Sequence, residues 1–119
     1  MSNTNNIIGI IDAGIKAESL RQKAIANNVA NAETPGYRRI DVRFEELLAR
    51  HLGKDVHVEL TDIQPEIYQP METAVKSNGN DVNWQNEVGN MVKNSLRHKA
   101  YVRFLEKKYR QIELAIDVR

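Results

Sequence analysis

The chain has 119 residues, with 17 Lys plus Arg against 16 Asp plus Glu, three His and no cysteine. That length suits one small domain. The net charge of +1 supplies no overall electrostatic pull toward nucleic acid or membrane, and the lack of cysteine excludes disulfides, thiolate nucleophiles and cysteine-ligated metals. No stretch approaches the roughly 20 apolar residues of a membrane-spanning helix. The opening Met-Ser-Asn-Thr-Asn-Asn has neither a basic n-region nor a small-residue cleavage site, so no cleaved secretion signal is expected. The charge is unevenly spread, with the middle of the chain acidic and the C-terminal third basic.

The first predicted element is a helix from about residue 5 to about residue 31. Ile10, Ala13, Ala17, Leu20 and Ala24 recur at spacings of three and four, and Asn27 and Asn31 continue the register. This is a heptad seam whose small residues permit close helix approach. A second stripe, Ile8, Ile11, Ile15, Ile25 and Val29, widens the apolar surface to about half the circumference, beyond the ~100° that one core requires. One partner helix would not cover it. Gly14 inside the helix should cost about 1 kcal/mol relative to Ala, by plain tolerance or in exchange for close helix contact. Amides (Asn27, Asn28, Asn31) then stand where apolar residues are expected, and buried amides demand matched partners. Thr34-Pro35-Gly36-Tyr37 ends the helix: Pro35 biases Thr34 away from helical geometry, and Pro-Gly is the type II turn pair.

Residues 38–80 are less regular. Phe44 to Leu52 reads as a short helix, with Asp41 a candidate cap and Gly53 a candidate stop. Val56, Val58 and Leu60 alternate with polar residues as in a short strand. Ile63, Ile67 and Tyr68 are interrupted by Pro65 and followed by Pro70, which suits an edge strand or extended loop. Ser77-Asn78-Gly79-Asn80-Asp81 is a turn cluster.

The last predicted helix covers about residues 83–117, with Asp81 or Asn83 as its cap. Trp84, Val88, Met91, Ser95, His98, Val102, Leu105, Tyr109, Ile112 and Ile116 follow one another by three or four. Such a helix is about 50 Å long at 1.5 Å per residue, too long for a compact globule of this size. Leu96, Phe104 and Leu114 stand off the seam and offer apolar surface elsewhere. The fold expected is therefore mainly α: long N- and C-terminal helices forming an antiparallel, coiled-coil-like pair around a small irregular middle with a short helix and short β-strands. Residues 1–34, 35–80 and 81–119 form the three parts of a single domain.

Catalytic and metal-binding chemistry finds little footing. His51, His57 and His98 lack metal-ligand spacing. The carboxylates Glu45, Glu46, Asp55, Glu59, Asp62 and Glu66 suit a solvated face better than an acid–base pair. There is no nucleophile motif or Gly-rich phosphate loop, so neither an enzyme nor a cofactor is expected. Lys99, Arg103, Lys107 and Arg110 share one side of the last helix and define the alternative, a small helical adaptor binding nucleic acid.

One stretch carries a wider resemblance. Residues 26–37, Ala-Asn-Asn-Val-Ala-Asn-Ala-Glu-Thr-Pro-Gly-Tyr, resemble the N-terminal signature of the bacterial flagellar axial proteins, the rod, hook and hook-junction subunits. The short chain, the Arg38–Glu45 continuation and the C-terminal wording (Asn78-Gly79-Asn80-Asp81-Val82, Asn94-Ser95-Leu96-Arg97, Val102-Arg103-Phe104-Leu105) look like the short proximal-rod members of that family. The resemblance implies paired terminal helices, many copies packed helically, and a structural role transmitting torque across the periplasm. It implies as partners the chain itself, other rod subunits, the membrane-ring and rod adaptor proteins and the flagellar type III export apparatus. It also implies a basal-body location reached without a cleaved signal. In that reading the Ile10–Ala24 seam packs on the Val88–Ile116 seam within a subunit, and Tyr37 anchors the turn.

Overall fold

A computed structural model describes residues 2–53 and 63–117. Helix α1 covers Ser2–Ala30, strand β1 Asp41–Arg43, helix α2 Glu45–Leu52, strand β2 Glu66–Tyr68 and helix α3 Trp84–Asp117. The two long helices pack along each other and dominate a body measuring 67 × 30 × 15 Å. They run antiparallel, since Asn28 near the end of α1 meets Glu87 at the start of α3, while Gly14 lies against Tyr101 farther along. The expected mainly α architecture, with its paired terminal helices and small middle, is what the molecule has.

Each boundary has a local cause. The Pro35-Gly36 pair turns the chain after α1: Tyr37 N–H donates to Thr34 O (3.2 Å) and Gly36 takes φ +75°, the type II geometry that requires positive φ at this position. Asn83 begins α3 by accepting Asn86 N–H on its side-chain oxygen (3.1 Å). Asp41 does not cap α2. It lies in β1, which pairs antiparallel with β2 in the register Asp41–Tyr68, Val42–Ile67, Arg43–Glu66. Helix α2 starts after Phe44 without a side-chain cap and ends at Gly53, whose N–H donates to Ala49 O. The strand expected at Val56–Leu60 and His57 fall outside the described residues.

The apolar core is small. Ala17 of α1, Phe44 and Ile63 are buried together, with Ala13, Leu47 and Leu48 packed against them. The middle segment thus sits on the flank of α1, wedged by Phe44.

Candidate assembly surfaces and the signature turn

The line of α1 buried within the chain is Ile11, Gly14, Glu18, Arg21, Ile25 and Asn28, continued by Ala32 in the turn, with Ala17 and Ala24 beside it. It is a heptad line, displaced by one residue from the expected Ile10, Ala13, Ala17, Leu20, Ala24, Asn27, Asn31. Of that expected set, Ala17 and Ala24 are buried, Ile10, Ala13, Leu20 and Asn31 are half-buried, and Asn27 is exposed. On α3 the displacement runs the other way. The residues that meet α1 are Glu87, Asn94, Arg97 and Tyr101, each one position before an expected seam residue. Trp84, Val88, Met91, Tyr109 and Ile116 are exposed instead, and His98, Val102, Leu105 and Ile112 are half-buried. The intrachain pairing expected of the Val88–Ile116 seam is therefore corrected. The helices meet along lines in which Glu18, Arg21, Asn28, Glu87 and Asn94 stand among small and apolar residues, and most of the large apolar side chains of α3 face away.

That interior works because its charges are matched. Glu18 is 1% exposed. Its Oε1 accepts from Arg21 and lies 3.3 Å from Arg97 Nε, and its Oε2 accepts from Asn94 Nδ2 at 2.8 Å. Asn94 Nδ2 also reaches the Glu18 carbonyl at 2.7 Å. Arg21 extends its other arm to Glu45 at the start of α2. Burial works against the Arg21 charge, but Glu45 and Glu18 prevail and raise its pKa above the ordinary value. A second cluster follows toward the turn: buried Glu87 accepts from Arg39 Nε (2.8 Å) and from Asn28 Nδ2 (3.3 Å). Arg39 is likewise raised, Glu87 and Asp41 outweighing its burial. A buried ion pair is tolerated only when its remaining hydrogen-bonding capacity is also met, and both carboxylates achieve this.

The signature residues form one connected site. Fully buried Asn28 clamps the chain returning after the turn, its Nδ2 donating to Ile40 O (2.8 Å) and its Oδ1 accepting Ile40 N–H (2.9 Å) and Tyr37 O–H (2.9 Å). Asn27 Nδ2 donates to Tyr37 Oη (2.8 Å). Burial raises the Tyr37 pKa, so the phenol keeps the proton it donates. Asn31 serves the helix end, donating to Asn27 O and accepting from Thr34 Oγ1. Of the three amides Asn28 is the buried one, while Asn27 is exposed and Asn31 half-buried.

Sequence reasoning missed the other half of this site. Residues 76–82 clasp the turn. Buried Asn80 donates through Nδ2 to Asn31 O (2.8 Å) and Thr34 O (2.9 Å) and accepts Val82 N–H. Gly36 N–H donates to Asn78 O (2.9 Å). Gly79, at φ +85°, is so close that a Cβ there would lie 3.3 Å from Gly36 Cα. Asp81 accepts Arg39 N–H instead of capping α3. Glu18, Arg21, Arg39, Glu87 and Asn94 were also missed. The one local signal was the spacing of three between Glu18 and Arg21 on a helix.

The outer surface is apolar in turn. Trp84, Val88, Met91, Val92, Leu96, Phe104, Tyr109, Leu114 and Ile116 of α3 are all exposed. Lys99, Arg103, Lys107 and Arg110 are exposed as well. His51 Nδ1 sits 2.6 Å from Leu47 O within α2. Among the described residues no group of acidic or His side chains has the arrangement of a metal site, and no helix is long and apolar enough to cross a membrane.

Known proteins place the same residues in context. The family model described as "Flagella basal body rod protein" matches residues 13–38, the second half of α1 and the signature turn. The chain is 26% identical to flagellar basal body rod protein FlgB of Bacillus subtilis (strain 168), over 98% of this chain and 97% of that protein. It is 28% identical to FlgB of Aeromonas hydrophila over 84% of each chain, and 25% identical to FlgB of Borrelia hermsii over 82% of this chain and 86% of the relative. These likenesses give no support to a nucleic-acid adaptor. With the signature turn, the paired terminal helices and these relatives in agreement, the chain is similar to the flagellar basal-body rod proteins along most of its length.

Proposed function

We propose that the chain is a structural subunit of the bacterial flagellar basal-body rod, of the rod protein B type, and that it works by assembly without a catalytic step. The observation that carries this is the distribution of apolar side chains on α3. Its inner line is charged and amide-bearing, while nine large apolar or aromatic residues from Trp84 to Ile116 are left in water. These side chains are about half covered already, so burying the rest of each stabilises by about 1 kcal/mol, and packing among subunits gains what the lone chain forgoes. The outer face of α3 meets neighbouring copies and other rod subunits, and the clasped turn fixes the angle at which the middle segment leaves the helix pair. Tight contacts of this kind transmit torque. The subunit sits in the proximal rod, within the periplasm. Delivery is by the flagellar type III export apparatus, and the membrane ring and its adaptors lie at one end.

A chromosomal Leu96→Ser/Phe104→Ser variant tests the reading. Neither side chain is buried in the lone chain, so the purified variant should melt within about 1 °C of the parent while cells lose motility and build no rod beyond the membrane ring. Normal rods in that strain would refute assignment of this face to assembly.

A further inference from the structure

The most constrained unexplained feature is the company Arg21 keeps. Arg21 and Arg97 both address the same oxygen, Oε1 of Glu18. The helix pair by itself therefore holds two guanidiniums against one carboxylate at this point. Glu45 of α2 supplies the second negative charge. Yet Glu45 is only loosely seated: its side chain is 54% exposed, and α2 contributes no fully buried residue. Beside these arginines, between α1, α3 and the start of β1, lies a cleft of about 90 Å³ lined by Arg21, Arg39, Arg97 and Asn90. Its one carboxylate, Asp41, is engaged by Arg39 at 3.4 Å. The volume is several times what one water needs, enough for a carboxylate group. Arg97 approaches Glu18 with Nε at 3.3 Å, and a planar guanidinium fork is suited to a second carboxylate.

We propose that Arg21 and Arg97 form an exchangeable carboxylate seat, filled in the free chain by its own Glu45 and open, once α2 lifts away, to a carboxylate from outside. The exchange is charge-neutral, because one carboxylate replaces another beside the same two guanidiniums. Its energetic demand is the detachment of α2, which rests on the half-buried Leu47 and Leu48. The arginines are already positioned by buried Glu18, so the incoming group meets a preorganised partner. The seat is a property of the single chain and stands apart from the rod reading.

Acetate is the probe, titrated to about 0.1 M against chloride at constant ionic strength, with the full-length chain observed by NMR at the arginine Nε–H groups. In Glu45→Ala the Arg21 and Arg97 signals should shift saturably with acetate. The parent chain should be at least about tenfold less sensitive, and Glu45→Ala/Arg97→Gln should lose the response. Glu45→Gln, which keeps the shape of Glu45, gives the same test should Glu45→Ala fold poorly. A response to acetate alone identifies a free small carboxylate as the ligand. A shift that also grows with chain concentration, and that acetate reverses, identifies a side chain of a second copy. Both outcomes support the seat. Equal acetate responses in parent and both Glu45 variants, or a response that survives loss of Arg97, would overturn it.

Discussion

The ring of Tyr101 lies against the bare Cα of Gly14, so close that a Cβ on residue 14 would come within 2.5 Å of two ring carbons. This contact locks the two long helices midway along their length, and it gives a glycine inside a helix a reason to be there. Gly14→Ala should gain about 1 kcal/mol of helix propensity and lose about 1–3 kcal/mol to overpacking. The expected net result is a fall of several degrees in melting temperature. Adding Tyr101→Leu, which removes the ring, should restore most of that loss in the double variant, a coupling that a propensity effect alone cannot produce.

Asn28 and Asn31 offer a contrast of burial with the same side chain. Asn28→Leu strands both backbone groups of Ile40 and one oxygen of Glu87 in the interior, at about 1–3 kcal/mol for each group left unpaired. It should lower unfolding free energy in urea by about 3 kcal/mol or more. Asn31→Leu removes only bonds at a half-exposed helix end and should cost about 1 kcal/mol or less.

These residues also show where the sequence was legible. Both long helices, the Pro-Gly turn and the proline-bounded extended segment could be read because apolar periodicity and turn chemistry are local. The helix faces could not. Hydrophobic pattern marks the face that will be buried, and here apolar positions such as Val88, Met91 and Leu96 belong to a surface the lone chain leaves open. The interior line of Glu18, Arg21, Glu87 and Asn94 is legible only as pairs, and pairing across 76 residues, as between Glu18 and Asn94, leaves no local trace. Strand β1 was hidden for a similar reason: three residues take their conformation from β2, and Asp41 alone suggested a cap.

The two turn glycines should respond differently to substitution. Both need positive φ, which costs a non-glycine residue about 1–2 kcal/mol. Gly36 has open space where a Cβ would go, whereas Gly79 would press its Cβ on Gly36. Gly79→Ala should therefore destabilise more than Gly36→Ala. It should also speed hydrogen exchange at Gly36 N–H, the donor to Asn78 O, while Gly36→Ala leaves the Asn80 bonds to Asn31 and Thr34 protected.

Acid should loosen α2 before it unfolds the helix pair. Burial pushes the Glu45 carboxyl up, but the hydrogen bond and charge of Arg21, helped by Arg97, more than reverse this and hold it below its ordinary value near 4.5. A carboxyl lowered in the folded state contributes stability above its unfolded value, and that contribution disappears as pH falls through the lower folded value. Above pH 4.5 the parent should therefore be more stable than Glu45→Gln by a constant margin, and the margin should close in the more acidic range. Because Glu45 is half in solvent, the margin is that of a partly screened pair and should shrink further in high salt. Thermal melts of both chains across the acid range give the measurement. A margin that persists unchanged into strong acid would show that Glu45 holds α2 by shape and not by charge.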